Sequence, residues 1–231
     1  MFGRIFDLDN PVWSFMSKVA DLMILNICMI VCSIPIVTIG ASWTAGYYVA
    51  VKMVKKECAY PFKEFFHSFK ENFKQATQLW LIALVVLAVL MGDLMIWYSY
   101  PDMLPTVVKG ITVVLTLMAL IVISFVFPML SHFDNTNMNT IKNAALVALV
   151  NIPQAIVFVI MLFVPFILIY IDIRMFIVDL FVGFSLPAVI CSLLWVKIFK
   201  KFEKPVVEET NQEVIAEGPE GAEGTGSQSD N

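Results

Sequence analysis

The chain has 231 residues, 59% of them hydrophobic and only 15% charged, whereas a water-soluble domain carries about 25% charged and roughly 45–50% apolar residues. The formal charge of −4 conceals a split: residues 206–231 hold seven acids and no Lys or Arg, and without them 15 basic residues face 12 acidic ones. A soluble globule is excluded, and no nucleic-acid partner is expected.

Uncharged runs extend over 22–51, 75–92, 110–133, 143–171 and 180–196. Crossing about 30 Å of hydrocarbon takes roughly 20 apolar residues at about 1.5 Å each. The pattern predicts an all-α, polytopic transmembrane helical bundle of about five spans, with the lipid bilayer as its main partner. The spans are placed at 22–40, 76–97, 108–130, 146–170 and 175–196, within a domain covering 1–205. Residues 206–231, rich in Gly, Ser, Glu and Gln, are expected to form a disordered acidic tail. Met1 to Asp21 mixes charges of both signs without a cleavage pattern, so no signal peptide is expected.

In chain order, the first irregularity is Pro35, inside a run too long for one straight span. Proline removes a backbone donor and favours a kink or break. Thr38 and Ser42 could re-satisfy freed carbonyls. The expectation is a span ending near Gly40 and a cytoplasm-facing helix from about Ala41 to Lys56. Ala41 with Ala45, and Ser42 with Gly46, give small-xxx-small pairs suited to close helix contact. The alternative is a re-entrant hairpin at Pro35 with the N-terminus inside.

Next comes an amphipathic helix opened by Pro61. Phe62, Phe65, Phe66, Phe69 and Phe73 recur at spacings of three and four, and Lys63, Glu64, Lys70, Glu71 and Lys74 take the other face. The stripe either packs against this protein and its lipid or docks on a partner. A second candidate docking element is the 131–145 loop with Phe133 and Asp134. Lys52, Lys55, Lys56, Lys63, Lys70 and Lys74 lie between the first two spans, and Lys197, Lys200, Lys201 and Lys204 follow the last. Basic residues of short loops are retained in the cytoplasm, so five spans imply an outside N-terminus and a cytoplasmic C-terminus in the cell membrane.

Few residues suggest chemistry. No nucleophile elbow, Walker A, zinc-protease or dinucleotide motif is present. His67 and His132 have no partner at ligand spacing, and the four cysteines read as apolar packing residues. No enzyme activity and no cofactor are expected. Asp93, Asp179 and Asn151 form a candidate polar pocket, since intramembrane acids are costly. The competing reading makes Asp93 and Asp179 interfacial groups that reach water or pair with Arg174. Pro128, Asn151, Pro153, Gln154, Pro165 and Pro187 mark broken helices, found both at transport sites and as packing devices.

Three ordered blocks carry a resemblance: Asn26 to Ala45 around S-I-P-I-V-T-I-G-A-S, the Phe/Lys stretch Phe62 to Thr77, and F-P-M-L-S-H-F-D-N-T at Phe127 to Thr136 followed by K-N-A and N-I-P. With them the chain resembles the YesL-like integral membrane proteins of Gram-positive bacteria over about 1–205. Members of that family are often encoded beside sugar-importing ABC permeases, solute-binding proteins and two-component sensors. The resemblance therefore implies a role in carbohydrate uptake, as an accessory or scaffold component partnering permease subunits. A small carrier or channel, and a regulator partnering a sensor kinase, remain the alternatives.

Overall fold

The computed structural model describes residues 11–100, 105–133 and 135–199. The acidic tail, Asp102, Asp134, Lys200, Lys201 and Lys204 lie outside the described residues. Among these residues every regular element is helical and no strand occurs. The chain divides into a unit Met1–Trp195 and a unit Val196–Asn231, of which residues 196–199 are described, as the end of a helix.

Helix α1 runs Pro11–Ser33, and a single turn, Ile36–Thr38, joins it to α2, Ile39–Lys55. Pro35 makes the break, with extended backbone at φ −74° and ψ 118°, as expected of a residue that cannot donate into a helical ladder. Hydroxyls re-satisfy the freed carbonyls. Thr38 Oγ1 donates to Cys32 O at 2.7 Å and Pro35 O at 2.8 Å, and Ser42 Oγ to Met29 O at 2.8 Å.

The structure corrects the expected span 22–40 with a surface helix after it. The first helix starts earlier and ends before Pro35. The second folds back along it, pairing Ser42 and Gly46 with Met29. Ten of the seventeen α2 residues are buried, so α2 is a packing element within the bundle. Small side chains permit this: Gly40, Ala41, Ser42, Ala45, Gly46 and Ala50 let neighbouring backbones approach closely. α2 ends on Lys56 in the left-handed region at φ 61°, where a helix C-terminus more often has glycine.

Helix α3, Pro61–Ser99, is one unbroken element of 39 residues. At about 58 Å it is nearly twice the hydrocarbon thickness, so its polar first half extends beyond its apolar second half. It packs antiparallel to α2. Gly40 meets Ala76 and Trp80, while Lys52 Nζ reaches Glu64 Oε2 at 2.8 Å. Helix α4, Thr106–Leu130, follows, with Pro128 buried inside it.

Two further expectations are corrected. The 131–145 loop is largely helix: α5 spans Asn137–Val150. The expected span 146–170 is interrupted at Asn151, and α6 covers Ile152–Ile171. Pro153 cannot donate to the carbonyl of Leu149, and Asn151 Nδ2 closes the preceding turn on Val147 O at 2.8 Å. The expected last span, 175–196, is also broken. Short α7, Met175–Val178, runs into a π-turn, Asp179–Gly183, and α8, Ser185–Phe199, leaves it bent by 46°.

Four of these helices are long and apolar enough to cross a membrane, or five when the bent α7–α8 pair counts as one. The bundle core is aromatic: Phe125, Phe158 and Trp195 pack with centroids 4.9–5.5 Å apart, a geometry favourable beyond area burial.

Gly40 provides a test of the hairpin. A Cβ there would lie 2.5 Å from Trp80 Cβ and 2.7 Å from the Ala76 carbonyl, whereas the nearest atoms to one at Gly46 belong to the flexible Met29 side chain. Gly40→Ala is expected to cost about 1–3 kcal/mol of stability, and Gly46→Ala much less. Thermal unfolding of the two variants in detergent checks the order.

Candidate functional site

Two places concentrate polar groups that the apolar bundle does not need for burial. One is the break between α7 and α8, and the other is the polar half of α3 with the turn that follows α4.

At the break, five residues in π-helical geometry interrupt the regular helical ladder, and the backbone groups there take additional hydrogen bonds. Asn26, midway along α1 and fully buried, supplies them from a distance of more than 150 residues. Its Nδ2 donates to the carbonyls of Asp179 and Leu180, both at 2.9 Å. Its Oδ1 accepts the N–H groups of Phe184 at 2.8 Å and Ser185 at 2.9 Å. One primary amide has two donors and two acceptor lone pairs, and here all four are used. Asn26 thus caps the first turn of α8, whose third residue, Pro187, has no N–H. In the sequence Asn26 is one polar letter in an apolar run, and nothing local marks its partners.

Asp179 is 2% exposed, and neither carboxyl oxygen has a hydrogen-bond partner among the described residues. The reading of Asp179 as an interfacial group that reaches water or pairs with Arg174 is corrected: Asp179 is enclosed, while Arg174 is exposed with its backbone N–H on Asp172 Oδ1 at 2.9 Å. The other members of the expected polar pocket are elsewhere. Asp93 is exposed near the end of α3. Asn151 is buried, but its amide is spent on the α5–α6 break. No hydrogen bond or ion pair joins the three.

Beside the break lies an apolar cavity of about 570 Å³, with Met29, Trp43, Trp80, Phe127, Phe158 and Phe184 in its wall. Trp80 Nε1 donates to Ile36 O at 2.7 Å, tying α3 to the Pro35 turn. The volume is within the usual range of small-molecule pockets, about 300–1,000 Å³.

On the polar half of α3 the phenylalanines form a continuous ladder. Phe62–Phe66 centroids are 4.8 Å apart, Phe65–Phe69 6.0 Å and Phe69–Phe73 5.4 Å. The ladder has two edges. Phe65 is fully buried against the fold, Phe66 and Phe69 are half-buried, and Phe62 and Phe73 remain 60% and 41% exposed. Lys63, Lys70 and Lys74 stand exposed beside them.

The turn after α4 joins this face. Gln75 Nε2 donates to Asn135 O at 2.5 Å, and Asn137 Nδ2 to Gln78 Oε1 at 2.8 Å. Phe133 is half-buried, with its ring edge-on to His132 at 5.2 Å. These amides were not singled out from the sequence, because glutamine and asparagine have no periodic signature. At the same end, hydrogen bonds with Glu64 and Tyr48 push Lys52 above the ordinary lysine range despite its partial burial. It is therefore charged at neutral pH and fastens α2 to the first turn of α3. His67 is exposed, 3.7 Å from Glu71. Among the described residues no group of three or more His, Cys, Asp or Glu could hold a metal ion.

Asn26→Ala removes four hydrogen bonds from the break in an apolar interior. A cost on the order of 3 kcal/mol is expected, at about 0.5–1.5 kcal/mol per hydrogen bond. It should appear as a lowered unfolding midpoint in detergent and faster maleimide labelling of Cys191, which is 1% exposed. A variant indistinguishable from the parent in both would remove the clamp.

No curated protein and no solved structure matches the chain. A family model described as "Protein of unknown function, DUF624" matches residues 22–94, and YesL-like proteins fall in that family. The matched stretch includes Asn26, the Pro35 break, all of α2 and most of α3.

Proposed function

We propose that this protein is an accessory or scaffold subunit of a membrane import system for carbohydrates, with the polar half of α3 as its docking face. One observation carries the docking part. α3 continues without a break from an apolar half into a polar one, where Phe62 and Phe73 stay exposed among Lys63, Lys70 and Lys74. Exposed aromatics are enriched at protein interfaces, and the lysines beside them give the face a positive charge that favours an acidic partner. The amide contacts from Gln75 and Gln78 hold the 131–136 turn against the same face and extend it. The carbohydrate part rests on the resemblance to YesL-like proteins, whose genes often neighbour sugar permeases.

This reading carries an orientation with it. Basic residues of short loops are retained in the cytoplasm, which assigns the end of α2 and the start of α3 to the cytoplasmic side of the cell membrane. Because α1 and α2 run antiparallel about Pro35, the start of α1 belongs to that same side, with Asp21 close enough to Cys58 to perturb it. The N-terminus is therefore read as inside, replacing the outside placement that five simple spans imply. The C-terminus stays cytoplasmic.

Single cysteines test the orientation. Lys18→Cys and Tyr60→Cys are expected to label from one side of sealed vesicles and Tyr98→Cys from the other; labelling of 18 and 60 from opposite sides rules the hairpin orientation out.

Affinity capture in mild detergent tests the docking. Sugar permease subunits are expected to co-purify with the parent, and the double variant Phe62→Asp/Phe73→Asp to recover about tenfold less, as removal of interface anchors predicts. Recovery of a sensor kinase instead would favour the regulator. Solute flux by the purified protein alone in liposomes would favour the carrier.

A further inference from the structure

We propose that the α7–α8 break is a proton-binding site: Asp179 holds a proton while the break is clamped by Asn26, and releases it only when the break opens. This goes beyond the docking role and does not depend on it.

Three observations lead there. First, the Asp179 side chain is 2% exposed and both its oxygens lack a partner, and Ser185 Oγ, fully buried six residues on, lacks one as well. Both residues are fixed by the same amide, through Asp179 O and Ser185 N at 2.9 Å each. Second, the carboxyl group is turned inward rather than left pointing at lipid. It folds over Gly183, where an added Cβ would lie 2.7 Å from Asp179 Cβ and 2.8 Å from Cγ. Glycine at 183 is what makes room for it. Third, the site is a helix break inside a bent candidate span. π-helical turns are single-turn insertions in α-helices, frequent at functional sites.

An ionised carboxylate this deeply enclosed would need a compensating charge or several donors. None faces it. From α1 the break receives Asn26, while Lys18 is exposed and Asp21 is near Cys58. The titratable end of α6 is Tyr170, 91% exposed. Before α7, Asp172 accepts from the Arg174 backbone, and the Arg174 side chain is exposed. On α8 the thiol of Cys191 is engaged by Tyr47 of α2. A hard divalent cation wants about six to eight oxygen ligands. Here the unengaged side-chain oxygens are those of Asp179 and Ser185, and the Asp179 and Leu180 carbonyls already accept from Asn26. A proton neutralises the acid without further ligands.

The linkage has a definite sign. The closed break binds one more proton than the open one, so raising pH favours opening. Because α8 leaves the break and α1 clamps it, opening separates α8 from α1 at Asn26.

The test is hydrogen exchange, read by mass spectrometry over residues 176–190, in the full-length protein in lipid nanodiscs. After correction for intrinsic exchange, the opening constant should rise about tenfold per pH unit through the neutral range, as for a single linked proton. Asp179→Asn, which mimics the neutral acid, should abolish that slope. Equal slopes in the two proteins, or a flat parent, overturn the proposal. Should Asp179→Asn not fold, the parent alone decides. A protonated-carboxyl infrared band at neutral pH, lost with base in step with opening, supports the proposal, and its absence overturns it. Opening that follows sodium concentration at fixed pH would assign the site to a cation instead and overturn the proton.

Discussion

Every helix break in an apolar environment exposes carbonyl and N–H groups that water cannot reach, and the hydrogen bonds that satisfy them dictate how this bundle is joined. In lipid each unsatisfied backbone group costs several kcal/mol. The chain has breaks at Pro35, Asn151 and the Asp179–Gly183 π-turn. Two are closed locally, by Thr38 and by Asn151 itself. The third is closed by Asn26 from another helix, so that α1 and α8 hold one geometry or neither is satisfied. Local closure fixes a turn, whereas remote closure fixes a tertiary arrangement.

That arrangement gives α2 its place. Seventeen residues are too few for a comfortable crossing, yet ten are buried. Gly40 accepts the backbone of α3 at Ala76, and Gly46 accepts Met29 of α1. Small residues drive helix association where lipid offers no hydrophobic gain between helices. The α1–α2 hairpin therefore functions as a wedge. It fills one end of the bundle with dense packing, and the Lys52–Glu64 pair fastens its charged end to α3.

The functional division follows from the same geometry. Packing against α2 consumes one edge of the phenylalanine ladder, Phe65 with Ser68 and Ala76, and leaves the other edge outside. A face that retains exposed aromatics and lysines after the fold is complete is available for recognition. The α7–α8 break is the opposite case, polar and enclosed. The two features are chemically independent, one proposed as a docking face and the other as a proton site.

Much of this was legible in the residues and much was not. Uncharged runs of about twenty residues announce α3, α4 and α6, because the hydrocarbon thickness and the helical rise together set that length. Pro35 announces a break, since a missing donor is a local fact, and Thr38 and Ser42 are the nearby hydroxyls able to answer it. Three- and four-residue spacing announces an aromatic stripe before α3 turns apolar. Only the tertiary structure decided that α2 folds back into the core, that α5 is helix, and which edge of the stripe is buried. Only it paired Asn26 with residues 179–185 and enclosed Asp179. The reason is physical. Periodicity and propensity report interactions over three or four residues, while Gly40 against Ala76 and Asn26 against Ser185 are contacts between distant segments, which no local pattern encodes.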